Sequence, residues 1–217
     1  MGLRLYGYRY SVYTRIARMV LVLRDLGYDA VEVNPFDLPS DPKLALVAPF
    51  QRVPVLDHDG FVLFETSAIT RYLATRFPGP ELVPEDAKAA ARLEQVIAIV
   101  DAYGYRPMVR QVFSHAVFRP LIGEPVEPDQ IIKGLEATAP VLRVLDGIAA
   151  EGLVLVPNRP TLADLHLAPM IGYFIMADAG RAALDACPAL AAWWQVMSRH
   201  PAYGATDPGL ATLAAGG

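Results

Sequence analysis

The chain has 217 residues, of which 53% are hydrophobic and 19% are charged, a composition typical of folded globular proteins and not of disordered ones. A formal net charge of −4 argues against the basic surface that nucleic-acid-binding proteins carry, and the single cysteine, Cys187, excludes an internal disulfide. No run of 18 apolar residues occurs and the first residues lack the apolar core of a signal peptide, so we expect a cytoplasmic protein without membrane or nucleic-acid partners.

The first 77 residues predict alternating strands and helices. Apolar spacing predicts a strand over 3–6, a helix over 12–26 that ends at Gly27, and a strand over 30–33. A proline-rich stretch, either a loop or one short helix, leads to two short strands over 53–56 and 61–64. These flank Asp-His-Asp-Gly, a hairpin signal that makes His58 a turn residue. A helix over 68–77 completes a β-α-β-(loop or α)-β-β-α order.

The rest of the chain predicts a second, helical domain. Pro78, Gly79, Pro80 and Pro84 break the pattern and indicate a linker. The segments with helical character after it are about 86–118, 128–150, 161–177 and 188–199. Thr161 and Asp164 form an N-capping box at the start of the third of these helices. We therefore predict an α/β domain over 1–78 and an all-α domain over 86–217.

Pro54 stands at an unexpected place, near the start of a predicted strand. Proline has no amide hydrogen for a strand ladder, so it is confined to edges, first positions and bulges. The strand is followed by a tight turn, a second apolar run, and Glu-Thr-Ser at the opening of a helix. This order of features suggests that something besides packing selects the proline.

Three segments, in this order and at this spacing, resemble motifs of the glutathione transferase superfamily, above all its phi and theta branches. They are Leu-Tyr-Gly with Ser11 four residues on and Arg15 in the following helix, AlaProPheGlnArgValProValLeu at 48–56, and LeuPheGluThrSerAlaIleThrArgTyrLeu at 63–73. The chain is accordingly identified as a phi/theta-like, bacterial-type member. The resemblance implies a thioredoxin-like N-terminal domain with a mixed four-stranded sheet and an all-α C-terminal helical domain.

The resemblance also implies a glutathione site. In this family the proline is cis, so the backbone of Val53, before Pro54, would pair with the cysteinyl backbone of glutathione like one more strand. Glu65 would pair with the ligand's ammonium group. Thr66, at a helix start, would bind its γ-glutamyl carboxylate. Read without the family, Thr66 or Ser67 is an ordinary helix cap.

Ser11 is the catalytic residue that the resemblance implies, with its hydroxyl donating to the glutathione sulfur. A hydrogen bond to a charged group contributes about 1.5–3 kcal/mol, and a helix N-terminus adds roughly 0.3–1 kcal/mol. At about 1.36 kcal/mol for each pKa unit, the thiol pKa would fall by one to two units or somewhat more. Tyr6, at the end of the first strand, is the alternative, because several transferase classes use a tyrosine. Ser11 can also be a simple N-cap.

The chain departs from the family where glutathione's glycine carboxylate should bind. Pro39 and Ser40 stand at the places of the family's His and Lys. Lys43 and Arg52 are the residues that can supply the missing positive charge. This departure concerns one glutathione contact and does not change the predicted fold.

Several residues of the helical domain are candidates for an apolar electrophile pocket or, equally, for the core: Tyr105, Met108, Val112 and Phe113. The predicted activity is conjugation of glutathione to apolar electrophiles, or glutathione-dependent peroxide reduction, with glutathione as co-substrate and no metal. The alternative is a non-catalytic binding or assembly module. A thiol-disulfide oxidoreductase is a third alternative, but it needs a cysteine in the site, and Cys187 lies far along the helical domain. A homodimer is expected, with pairing through about 66–77 and 86–102.

Overall fold

The computed structural model describes residues 2–37 and 41–210. The chain divides into two compact units, Met1–Glu81 with Ala205–Pro208, and Leu82–Gly204 with Gly209–Gly217. The first boundary lies inside the predicted linker. The inclusion of Ala205–Pro208 in the first unit has no counterpart in the predicted domains 1–78 and 86–217.

The first unit is built on a mixed four-stranded sheet. Its elements are β1 (Leu3–Gly7), α1 (Val12–Leu23), β2 (Asp29–Glu32), α2 (Pro42–Val47), β3 (Val55–His58), β4 (Phe61–Phe64) and α3 (Thr66–Arg76). The strand order is β2-β1-β3-β4, with β1 parallel to β2 and antiparallel to β3, and β3 antiparallel to β4. The predicted thioredoxin-like domain is confirmed, and the stretch left open between loop and helix contains α2.

The turn between β3 and β4 is tighter than the sequence indicated. Asp59 and Gly60 have φ angles of 51° and 90°, so these two residues alone close the hairpin. His58 therefore remains in β3, where it is buried with its Nδ1 atom 2.6 Å from the Tyr72 hydroxyl. The prediction that His58 is a turn residue was wrong, because positive φ at Asp59 shortens the turn.

The second unit is helical, as predicted. The remaining helices are α4 (Ala87–Ile99), two π-helical segments (Val100–Gly104 and Arg106–Phe118), α5 (Arg119–Leu121), α6 (Pro128–Glu151), α7 (Leu162–Phe174), α8 (Asp178–Asp185), α9 (Pro188–Met197) and α10 (Pro201–Ala205). The sequence analysis did not predict α8 or α10. Among residues 2–37 and 41–210, no helix combines the length and apolar character needed to cross a membrane.

The predicted helix over 86–118 is continuous but changes its hydrogen-bond pattern. The Tyr105 N–H donates to the Val100 carbonyl, and the Arg119 N–H donates to the Ser114 carbonyl, each five residues back. This is the π-helical pattern, which is rare and occurs mostly as single turns. Pro107, which has no N–H to donate, stands at the start of the second π-helical segment.

Helix α7 runs through the core of the second unit, and all of its residues are buried. The predicted capping box at its start is confirmed. The Asp164 carboxylate accepts the Thr161 N–H at 2.7 Å and the Trp193 indole N–H at 2.8 Å. Burial raises the pKa of Asp164, and the hydrogen bonds from Thr161 and Trp193 oppose that rise.

Candidate functional site

Ser11 lies between β1 and α1 and caps the helix. Its Oγ accepts the Thr14 N–H at 3.2 Å, and its own N–H donates to the Tyr8 carbonyl at 2.9 Å. A serine hydroxyl has two acceptor lone pairs and one donor hydrogen, so the cap leaves the O–H available to a ligand. The N-cap role and the predicted thiolate role of Ser11 are therefore compatible, because the cap bond holds the oxygen at the positive end of α1.

The place of Ser11 depends on a close approach between β1 and α1. A Cβ atom on Gly7 would clash with the methyl group of Thr14, so a residue without a side chain is needed there. The Tyr8 N–H donates to the Thr14 hydroxyl at 3.3 Å. These contacts hold the loop that carries Ser11 close to the end of β1.

Tyr6, the alternative to Ser11, is a core residue. Its side chain is only 9% exposed and belongs to a hydrophobic cluster in the first unit whose other buried members are Val33, Leu44, Ala48 and Val55. The Tyr6 side chain is also the main reason that the pKa of Arg4 is raised, through a hydrogen bond. The Tyr6 ring is thus packed among apolar core residues, whereas Ser11 lies in the loop that follows β1.

The Val53–Pro54 peptide bond is cis, as the family resemblance implied. Regular pairing of β3 begins only at Val55, which lies opposite Tyr6 of β1 and Phe64 of β4. Within residues 2–37 and 41–210, the Val53 N–H and carbonyl have no backbone hydrogen-bond partner. They are therefore available to pair with an extended peptide, which is the role predicted for Val53.

Glu65 has an unusual backbone conformation, with φ 68° and ψ 117°. A residue with a side chain rarely adopts positive φ, and such positions are concentrated at functional sites. Glu65 is exposed and stands at the N-cap of α3, but its side chain makes no capping hydrogen bond. Its carboxylate is thus accessible to a cationic group.

The start of α3 has unsatisfied backbone donors. Its first helical hydrogen bond runs from the Ile69 N–H to the Glu65 carbonyl, so the N–H groups of Thr66, Ser67 and Ala68 have no backbone acceptor in the part of the chain that the structure describes. Other helix starts do have side-chain caps, provided by Ser11, Asp41, Asp86 and, at α7, Thr161. An uncapped helix start with free N–H groups suits a carboxylate ligand.

Lys43 and Arg52 are both exposed, as a role in binding an anionic ligand requires. Neither side chain forms an ion pair with another described residue. Lys43 lies near the start of α2, where its N–H is capped by Asp41 at 2.8 Å. Pro39 and Ser40, which stand at the family's basic positions, lie outside the described residues.

The predicted pocket residues of the helical domain are Tyr105, Met108, Val112 and Phe113. Met108 and Val112 have no exposed surface, and Phe113 stacks on Tyr173 with ring centroids 4.2 Å apart. Gly134 of α6 allows this burial, because a Cβ there would lie 2.8 Å from the Val112 side chain. The pocket prediction is therefore corrected for these three core residues, and only half-buried Tyr105 has surface to offer.

The sequence analysis missed an aromatic cluster in the Ser11 loop. Tyr8 packs edge-to-face against Tyr10 and Phe36, with ring centroids 5.5 and 6.0 Å apart. Phe36 is 57% exposed. The signal in the sequence is the density of tyrosines around Ser11, because tyrosine rings also offer apolar surface.

The buried histidines have structural roles. Nδ1 of His166 donates to the Leu162 carbonyl at 3.0 Å, while its buried Nε2 has no partner among the described residues. Burial lowers the pKa of His166 to about 4. His115 accepts the Glu127 N–H at 3.0 Å, and burial lowers its pKa as well. In the described ranges, no three His, Cys, Asp or Glu side chains are grouped to hold a metal ion.

Known proteins match both units of the chain. Residues 5–81 match the family model of the glutathione S-transferase N-terminal domain, and residues 109–201 match that of the C-terminal domain. Glutathione S-transferase F13 of Arabidopsis thaliana is 30% identical over 97% of both chains, and glutathione S-transferase 3 of Zea mays is 30% identical over 93% of this chain and 91% of its own. The apo structure of a glutathione S-transferase III, 28% identical, has a TM-score of 0.83 and coverage of 95% of each chain.

The chain therefore belongs to the glutathione S-transferase family. It is a glutathione transferase, so the family and the enzyme class predicted from the sequence are confirmed. The two curated relatives named above are plant proteins. The narrower assignment to a bacterial-type branch stays a prediction.

Proposed function

We propose that the first unit binds glutathione at one end of its sheet and that Ser11 stabilises the thiolate. The observation that carries this proposal is that three parts of the first unit with hydrogen-bonding groups available to a ligand lie at that end. Val55 lies opposite both Tyr6 and Phe64, so the residues just beyond this row of the sheet come together. They are the end of β1 with the Ser11 loop, the unpaired backbone of Val53, and the uncapped start of α3.

Each part of the tripeptide has a partner of fitting chemistry. Its extended cysteinyl backbone pairs with Val53, and Pro54 orients that backbone. Its γ-glutamyl carboxylate binds the free N–H groups at the start of α3 and Thr66, while its ammonium pairs with Glu65. Its glycine carboxylate is held by Lys43 and Arg52, which are exposed and have no ion-pair partner in the described chain.

The chemical step needs only a stabilised thiolate. The glutathione thiol loses its proton to solvent, and the Ser11 O–H donates to the resulting sulfur anion. The sulfur then forms a bond to an electrophilic carbon, and the leaving group departs with its electron pair. In the peroxide reaction, the thiolate attacks one peroxide oxygen, the O–O bond breaks, and the other oxygen leaves as an alkoxide that takes up a proton. A second glutathione thiol then attacks the resulting sulfenic acid, which forms the disulfide and releases water. Neither route needs a metal or a protein base at the sulfur.

The aromatic cluster of Tyr8, Tyr10 and Phe36 favours an apolar electrophile. These side chains surround the loop that carries Ser11, and the exposed ring of Phe36 offers apolar surface. A screen of aryl halides, epoxides, isothiocyanates and peroxides with glutathione present identifies the class. Retention on immobilised glutathione without turnover of any of them would favour the non-catalytic binding module.

The mechanism is tested by the pKa of enzyme-bound glutathione, read from thiolate absorbance against pH. Ser11→Ala should raise that pKa by roughly one to two units, because it removes a hydrogen bond of about 1.5–3 kcal/mol. It should also lower the free energy of unfolding by about 0.5–2 kcal/mol, since Ser11 caps α1. Tyr6→Phe is the control. A shift with Tyr6→Phe and none with Ser11→Ala would assign the role to Tyr6.

A homodimer is supported by exposed apolar surface in the first unit. Its members are Leu46, Phe50, Phe61, Val62 and Phe64, and Phe50 packs edge-to-face on Phe64 with centroids 5.7 Å apart. The sheet ends in β4, and an exposed apolar edge strand is an aggregation hazard unless it is covered. We expect a second copy of the chain to cover this surface. We also expect the protein to be cytoplasmic, where glutathione keeps Cys187 reduced.

Sedimentation tests the dimer directly. At micromolar concentration the wild type should sediment at twice the chain mass of 23.6 kDa. Phe50→Ser should shift the protein toward monomer, while Phe36→Ser, equally exposed but outside this surface, should not. A wild type that sediments as a single chain would contradict the dimer.

A further inference from the structure

The chain returns to the first unit near its C-terminal end, in the segment Ala205–Pro208, which we call the C-terminal clasp. The clasp makes two side-chain contacts with the region around Ser11. Arg9 Nε donates to the Pro208 carbonyl at 2.7 Å, and Arg15 Nε donates to the Thr206 hydroxyl at 3.5 Å. Thr206 is 1% exposed, and Pro208 is buried too. The clasp is thus packed into the first unit and does not lie loosely on its surface.

The two arginines flank Ser11 and are themselves tied to its loop. The Arg9 N–H donates to the Glu32 carboxylate at 2.7 Å, which fixes the loop to β2. The Arg15 N–H donates to the Ser11 carbonyl at 3.0 Å. The clasp therefore holds the loop of Ser11 from both sides, once before the serine and once a helical turn after it.

Arg15 lies in the first turn of α1, and only 4% of the residue is exposed. A buried arginine needs hydrogen-bond partners, and the Thr206 hydroxyl of the clasp is one of them. Loss of this contact would therefore disturb the helical turn that begins at Ser11.

We propose that the C-terminal clasp is a positioning element for the glutathione thiolate. It keeps the Ser11 hydroxyl in the geometry that lowers the thiol pKa. This inference rests on the proposed role of Ser11. Because the clasp residues act through Arg9 and Arg15, they need not touch the substrate. Displacement of reacting groups by about 1 Å costs on the order of 100-fold in rate, so a smaller displacement has a measurable effect.

Two matched pairs of variants in the full chain test the proposal. Thr206→Val removes the hydroxyl and nearly keeps the shape, whereas Thr206→Ser retains the hydroxyl. Arg9→Met removes the donor to Pro208. Arg18→Met removes the same charge from a residue that lines the same cavity of about 330 Å³ as Arg9, but that donates no side-chain hydrogen bond to a described residue.

The readouts are the pKa of bound glutathione, kcat/KM, and the thermal midpoint. We expect Arg9→Met and Thr206→Val to raise the thiol pKa and to lower kcat/KM at neutral pH by about threefold or more, a fraction of the loss that a 1 Å displacement causes. Thr206→Ser and Arg18→Met should stay near wild type. If Arg9→Met and Thr206→Val lower only the thermal midpoint and leave the thiol pKa unchanged, the clasp is merely structural and the proposal is wrong.

Two further outcomes separate this inference from the proposed function. If Ser11→Ala raises the thiol pKa and neither Arg9→Met nor Thr206→Val does, the role of Ser11 stands and the clasp proposal fails. If Ser11→Ala itself has no effect on the thiol pKa, the proposed mechanism fails first. Equal shifts from Arg9→Met and Arg18→Met would show that net charge, and not the clasp contact, sets the thiol pKa.

Discussion

The starts of α7 and α3 present the same local problem and solve it in opposite ways. At α7, the Thr161–Asp164 capping box is buried, and Asp164 also accepts the Trp193 indole N–H. At α3, no side chain caps the helix, and Glu65 is exposed with positive φ. Every helix start leaves backbone N–H groups without helical partners. These two starts differ in whether the protein itself supplies the acceptor.

We interpret this difference as one between a helix start that serves folding and one that is open to a ligand. A fully satisfied buried start adds stability and has nothing left to offer a ligand. An unsatisfied start with a strained N-cap residue loses stability and retains donors for an anion. The comparison predicts that substitutions at α7 change the free energy of unfolding, while substitutions at α3 change glutathione binding.

The largest expected effect is at α7. Asp164→Ala leaves the buried Thr161 and Trp193 donors without an acceptor, at about 1–3 kcal/mol for each stranded group. We expect a loss of roughly 3–5 kcal/mol in the free energy of unfolding, measured by urea titration. The glutathione KM of the remaining folded protein should not change. Asp178→Ala, at the exposed start of α8, is the control and should change stability little.

The next effect is at α3, where binding and stability should separate. Glu65→Gln removes the charge that pairs with the ligand's ammonium, so the glutathione KM should rise about tenfold or more with little change in kcat. Glu65→Gly should raise KM similarly, but leave the free energy of unfolding unchanged or raise it by about 1 kcal/mol, because glycine relieves the strain at φ 68°. If Glu65→Gly clearly lowered the free energy of unfolding, the proposed contrast between the starts of α3 and α7 would be wrong.

The sequence predicted most of the elements around the candidate site because their signals are local. Strand and helix periodicity placed β1, α1, β3, β4 and α3 within a few residues. The motifs around Ser11, Pro54 and Glu65 indicated the end of the sheet where we propose that the ligand binds. Positive φ at Glu65 could not be read from its residue type, because glutamate has no preference for that region. The fold imposes that conformation where β4 passes into α3.

The errors came from properties that depend on distant parts of the chain. Burial of Met108 and Val112 depends on the close approach of α6, which Gly134 permits some twenty residues later in the sequence. The C-terminal clasp reaches Arg9 from residue 208, a separation of 199 residues. Neither periodicity nor a local motif carries such information. The π-helical segments likewise differ from an α-helix only in which carbonyl each N–H meets.

Acid should weaken the helical unit through His166, independently of the glutathione site. Burial lowers its pKa to about 4, against 6.5 for the free group. Between these values the folded state binds fewer protons than the unfolded state, so stability is complete above pH 6.5 and falls with pH toward 4. The loss between pH 7 and pH 5 should be about 2 kcal/mol.

His166→Leu isolates this contribution in urea titrations at pH 5, 6 and 7. The slope of the free energy of unfolding against pH should decrease in the variant, whatever its stability at pH 7. His200→Leu is the control, because His200 is less buried, although burial also lowers its pKa. An unchanged acid slope in His166→Leu would mean that other groups cause the acid sensitivity.

The smallest expected effect concerns the glycine carboxylate of glutathione, where the family's basic residues are missing. Lys43 and Arg52 are exposed, and exposed ion pairs contribute only about 0.2–1 kcal/mol. Lys43→Ala and Arg52→Ala should therefore each raise the glutathione KM about 1.5- to 5-fold, with kcat nearly unchanged because the contact is equal in ground and transition states. Salt should shrink the effect by screening it. Lys88→Ala, an exposed charge on α4, is the control for net charge and should leave KM unchanged. If neither Lys43→Ala nor Arg52→Ala alters the glutathione KM, residues other than these two bind the glycine carboxylate.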